Sequence, residues 1–130
     1  MNVPAILVAA LSAFIVGALW YSPLLFGTAW QHASGVTDLA LKSQNRPKVL
    51  SLAFLLVLVM AGNLAAFLNQ PTTTLAWGAA AGFLAGFGWV ALGFGVVALF
   101  ESRSLSYVLI NGGYMMVAFV LMGAIIGGWR

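Results

Sequence analysis

Apolar residues run along this chain in four long blocks, separated by short stretches where polar residues gather. The blocks cover residues 3–21, 49–68, 75–100 and 105–129. At a rise of about 1.5 Å per residue, about 20 apolar residues cross the roughly 30 Å hydrocarbon layer of a bilayer. Each block is long enough, and the third has length to spare for a tilt. Prolines mark two of the boundaries. Ser22-Pro23 closes the first block and Asn69-Gln70-Pro71 follows the second, because a proline ring bars the helical conformation from the residue before it. The pattern predicts an all-α membrane protein: four transmembrane helices in a compact bundle, forming a single transmembrane domain over residues 1–130. The first block lacks a basic flank and exceeds a signal-peptide core, which predicts a retained helix rather than a cleaved signal.

The segment after the first block is different in kind. Residues 24–30 are apolar enough to lie along the membrane interface. Trp20, Tyr21, Pro23 and Trp30 cluster there as interface anchors, the place where amphipathic rings collect. Residues 31–47 form the only sizeable polar stretch, and Thr37 or Asp38 is suited to cap a short helix through Gln44.

Composition sharpens the class. Hydrophobic residues make up 63% of the 130 and charged residues 5%, with a mean hydropathy of +1.07. A soluble domain carries about a quarter charged residues, so lipid must cover most of this surface. The net charge of +3 is that of five basic residues against two acids. They form no clustered basic face, so no nucleic-acid partner is expected. Lys42, Arg46, Lys48 and Arg103 fall in the first and third loops, and only Arg130 falls on the other side. The positive-inside rule then puts loops one and three in the cytoplasm and both termini outside.

Small residues line several predicted faces. Gly78, Gly82 and Gly86 recur every four residues, and at about 100° per residue Ala85 and Gly93 fall on the same side. Phe83, Phe87 and Phe94 project on the other. Gly112, Gly123 and Gly127 in the fourth block, and Ala9, Ala13 and Gly17 in the first, repeat the theme. Such faces let helix backbones approach closely in lipid. We read one of them as a subunit interface in a homo-oligomer or a larger membrane complex. The plainer alternative is packing within the chain's own bundle.

Polar side chains at depth form the second candidate feature. Measured from the cytoplasmic edge, Asn63 lies about 21 Å deep and Asn111 about 9 Å, which separates them unless a helix bends. Each could instead bond a neighbouring helix or its own copy in a symmetric oligomer. Tyr107, Asn111 and Tyr114 share one helix face, and Gly112-Gly113 weakens the helix beside them. That combination offers a polar ligand patch at a broken helix, or room for a neighbouring helix.

The inventory for chemistry is thin. There is one histidine, two acids and no cysteine. His32, Ser34 and Asp38 share a loop without the rigid scaffold a triad needs. A metal site wants three or four ligands. Gly86-Phe87-Gly88 lies inside a span and does not fit a phosphate loop. No catalytic residue, metal or cofactor is expected, and Glu101, Arg103 and Lys48 read as boundary anchors, with Glu101 placed to pair with one of the cations.

Trp20-Tyr21-Ser22-Pro23-Leu24-Leu25-Phe26-Gly27 and Leu109-Ile110-Asn111-Gly112-Gly113-Tyr114, with the four-span layout, resemble a family of small bacterial membrane proteins catalogued as domain of unknown function 1761. The resemblance covers essentially the whole chain. It implies a multi-pass protein of the bacterial inner membrane and no established activity. It directs attention to Trp20, Tyr21, Pro23, Asn111 and Tyr114. The expectation is a non-enzymatic, self-assembling or accessory membrane subunit. The alternative is an oligomeric pathway for a neutral or weakly polar solute.

Overall fold

Side-chain caps set the start of each membrane-length helix, as a computed structural model describing residues 2–129 makes plain. Asn2 accepts a hydrogen bond from the Ala5 amide at the start of α1 (Val3–Trp20), with Pro4 in the first turn. A proline there loses nothing, because that amide has no partner within the helix. Helix α2 (Gly27–Ser34) ends at Gly35, whose φ of 75° turns the chain out. Thr37 caps the short α3 (Asp38–Lys42). Asn45 caps α4 (Arg46–Phe67), again with a proline in the first turn. This cap starts α4 three residues before the apolar block, so Arg46 and Lys48 ride on its first turn. Thr74 caps α5 (Leu75–Ala85), which runs through a π-helical turn (Gly86–Ala91) into α6 (Leu92–Phe100). Ser104 caps α7 (Leu105–Gly128).

Among the described residues four helical stretches are long and apolar enough to cross a membrane: Val3–Trp20, Arg46–Phe67, Leu75–Phe100 and Leu105–Gly128. This is the architecture of a multi-pass membrane protein. Successive spans run antiparallel. The side-chain amide of Asn2 donates to the Trp129 carbonyl at 3.2 Å, so the two ends of the described chain meet at one end of the bundle. Lys42, Arg46, Lys48 and Arg103 lie toward the other end. Arg130 falls outside the described residues.

Helix α7 is the hub. It packs α5 and the π turn on one side and α1 on the other, while α4 leans mainly on α1. The glycines explain how α5 comes so close. A methyl group on Gly78 would overlap the Gly123 carbonyl, and one on Gly82 would overlap the Phe119 carbonyl. The same addition at Gly86 would press on Met116 and Phe119, and at Gly127 on the Thr74 carbonyl. The glycine face of α5 is therefore filled by α7 of the same chain. Ala5, Ala9, Ala10 and Ala13 are buried on α1, and Val57, Ala61, Leu64 and Ala65 on α4.

Gly93 departs from the expected face, with no atom near the position its side chain would take. The π turn is the reason. It winds an extra residue into the helix, which shifts the following residues by about 100°. Phe83 and Phe87 stack at 5.6 Å between ring centroids on the outward side.

Candidate functional site

The two sequence segments singled out above, 90 residues apart, meet in space. The chain leaves α1 at Trp20 and folds back on itself. The amide of Phe26 donates to the Trp20 carbonyl and that of Gly27 to the Ser22 carbonyl, both at 2.9 Å. Gly27 is required by this closure, because a methyl group there would run into the backbone of Tyr21 and Ser22. The fold-back turns Trp20 and Tyr21 inward against α7, so neither is a simple interface anchor. Pro23 stays exposed at the turn, and Trp30 is half-buried.

Three hydrogen bonds then join α1 and its turn to α7. The Trp20 indole donates to the Ile110 carbonyl at 2.8 Å. The Tyr21 hydroxyl donates to Asn111 Oδ1 at 2.7 Å. The Tyr114 hydroxyl donates to the Ala13 carbonyl at 2.9 Å. Asn111 Nδ2 in turn donates to the Tyr107 carbonyl at 3.1 Å. The Tyr21 ring meets Tyr114 edge-on at 5.5 Å and Trp30 at 5.7 Å. Asn111 and Tyr114 are each only 8% exposed.

The adjacent glycines make room for these rings and for the next helix. A methyl group on Gly113 would sit 3.1 Å from the Trp20 ring, and one on Gly112 would sit 3.0 Å from Ala91 Cβ. No break in α7 accompanies them: it is one uninterrupted helix through Asn111-Gly112-Gly113-Tyr114. The polar patch is thus a closed latch between two helices. The Tyr21 and Tyr114 hydroxyls and both ends of the Asn111 amide are engaged within the chain.

At its outer rim, Arg103 fixes the loop between α6 and α7. Its guanidinium donates to the Ser34 carbonyl at 2.8 Å and lies 5.3 Å over the Tyr107 ring. No ion pair to Glu101 forms among the described residues, since α2 and the Tyr107 ring take the cation instead. Asp38 accepts from Gln31 at 2.9 Å and Ser34 Oγ from the Val36 amide at 3.3 Å. His32, Ser34 and Asp38 are therefore not aligned on one another. Among the described residues no group of three His, Asp or Glu side chains is suited to hold a metal ion.

A second feature lies on the other flank of the bundle. Helices α4 and α5 are not packed along their lengths. A cavity of about 670 Å³ lies between them, floored by Phe119 of α7 and walled by Met60, Phe67, Trp77 and Trp89. Asn63 opens into it. Its side chain is exposed and has no hydrogen-bond partner among the described residues. The sequence marks both intramembrane asparagines equally; only the structure separates the engaged one from the free one.

No curated protein and no solved structure matches the chain. One family model does match, over residues 4–127, nearly the full length and including both segments of the latch. The chain accordingly belongs to the family described as protein of unknown function (DUF1761).

Proposed function

We propose that this protein is a non-enzymatic membrane subunit that works by assembling with a further transmembrane helix, in its own copy or in a larger membrane complex. Asn63 carries this reading. A primary amide offers two donors and an acceptor, and hydrocarbon supplies no water to meet them. A neighbouring helix at the lipid-facing side of α4 meets that need, as interhelical polar contacts do in membranes. The glycine face of α5 does not serve assembly in this reading, because α7 already fills it. We assign the protein to the bacterial inner membrane, with the Lys- and Arg-bearing end in the cytoplasm and both termini outside.

The solute-pathway alternative leaned on Asn63, Asn111 and the Gly112-Gly113 weak point. Asn111 is bonded to Tyr21 and Tyr107 and α7 runs unbroken through the glycines, so of these only Asn63 is left to that alternative, and the observations favour the subunit reading. The test is light scattering on protein purified in mild detergent. The expected protein mass is a multiple of 13.7 kDa or that of a stable complex. A bare 13.7 kDa chain in every mild detergent, with no partner retained, would overturn the proposal.

A further inference from the structure

The outward face of α4 carries a pattern of its own. Val49, Leu52, Leu56, Val59, Asn63 and Ala66 follow one another at alternating intervals of three and four residues, and all six are exposed. Leu56 is 65% exposed and Val59 55%. An average spacing of 3.5 residues is the repeat of a supercoiled helix seam. Here it runs for about 25 Å of helix, most of the thickness of the hydrocarbon. An apolar stripe facing lipid would by itself name no occupant, because lipid chains cover it as well as a protein would.

Asn63 names one. Its amide can give and accept hydrogen bonds at once, so the group that matches it best is another amide at the same depth. A second copy of this chain provides that by symmetry: on a two-fold axis along the membrane normal, each residue meets itself. Copies inserted with the same charged end in the cytoplasm also carry α4 in the same direction. We propose that α4 pairs in parallel with α4 of a second copy, along the seam from Val49 to Ala66, closed by reciprocal Asn63–Asn63 hydrogen bonds. The inference rests on the assembly reading above and names its partner.

The environment fixes the sign of the asparagine's effect. In a water-soluble coiled coil one seam asparagine sets the register but costs stability, because it replaces an apolar residue driven inward by water. In lipid that drive is absent, so the amide pair favours association as well as register. Sliding the helices by one heptad would strand both amides.

The chain has no cysteine, so single-cysteine variants of the full chain test the seam in liposomes under mild oxidation. Leu52→Cys, Leu56→Cys and Val59→Cys are expected to form disulfide-linked dimers. Leu55→Cys, on the same helix beside the seam, and Leu99→Cys, on α6, are expected to cross-link weakly or not at all. Asn63→Leu is expected to weaken the dimer about 3- to 30-fold, with Asn63→Gln retaining part of the affinity. Asn63 lies outside the core, so the variant chain keeps its fold, as circular dichroism checks. Equal cross-linking on and off the seam would overturn the proposal. So would an oligomer of native mass without seam cross-links, although assembly itself would stand. A complex with a different protein, or a lone chain holding a lipid-like molecule in the groove, would also reject the second copy as partner. A lone chain with no protein partner, with or without such a molecule, would remove the assembly reading too.

Discussion

Two asparagines of the same type, both inside the membrane, end in opposite circumstances. Asn111 receives the Tyr21 hydroxyl and donates to the Tyr107 carbonyl; Asn63 faces outward beside a groove. Removing the hydroxyl leaves the Asn111 carbonyl group without its donor in a dry site. Tyr21→Phe is expected to lower bundle stability by about 0.6–2 kcal/mol, read as a shift in unfolding by SDS titration. An unchanged unfolding curve would mean the latch contributes nothing. The residues of the latch were legible in the sequence, but its pairing was not. Tyr21 and Trp20 read as interface anchors and Asn111 as part of a polar patch. What was missed is that all three lie toward the same end of the bundle, since Tyr21 ends the first span and Asn111 sits six residues into the last. The depth argument that separated Asn63 from Asn111 brings Tyr21 and Asn111 together.

At the scale of elements, the four spans were legible because lipid forces long apolar runs, and their starts because Asn, Thr and Ser cap them. The π turn was not. Its residues, Gly86 to Ala91, are as apolar as their neighbours, and hydropathy carries no sign of one extra residue wound into a turn. Its consequence is specific: Gly78, Gly82 and Gly86 face α7, while Gly93 does not. Spacing alone also left open whether that face served the chain or a second copy. The backbone overlap expected on adding side chains along α5 answers it for this face. Gly82→Leu is expected to push α5 off α7 and destabilise the folded chain by about 3 kcal/mol or more, read as loss of resistance to SDS and to limited proteolysis of the single chain. A normally folded chain carrying this substitution would contradict the close packing of α5 on α7.

For the whole molecule, the alternation of spans puts Lys42, Arg46, Lys48 and Arg103 toward one end and both described termini at the other. Membrane insertion reads that asymmetry. Ser43→Cys, in the exposed loop before α4, is expected to resist an impermeant thiol reagent added to intact cells and to react after permeabilisation. Efficient labelling from outside would invert the orientation. Every copy inserted this way presents α4 and Asn63 at one depth and in one direction, which is what turns an unmet amide into a basis for self-assembly. The most direct test of that claim is native mass spectrometry of the intact chain released from mild detergent, wild type beside Asn63→Leu. The account predicts a dimer for the wild type and a population shifted toward the single chain for Asn63→Leu. A wild-type chain that flies alone and bare, or a dimer indifferent to the loss of Asn63, would contradict it.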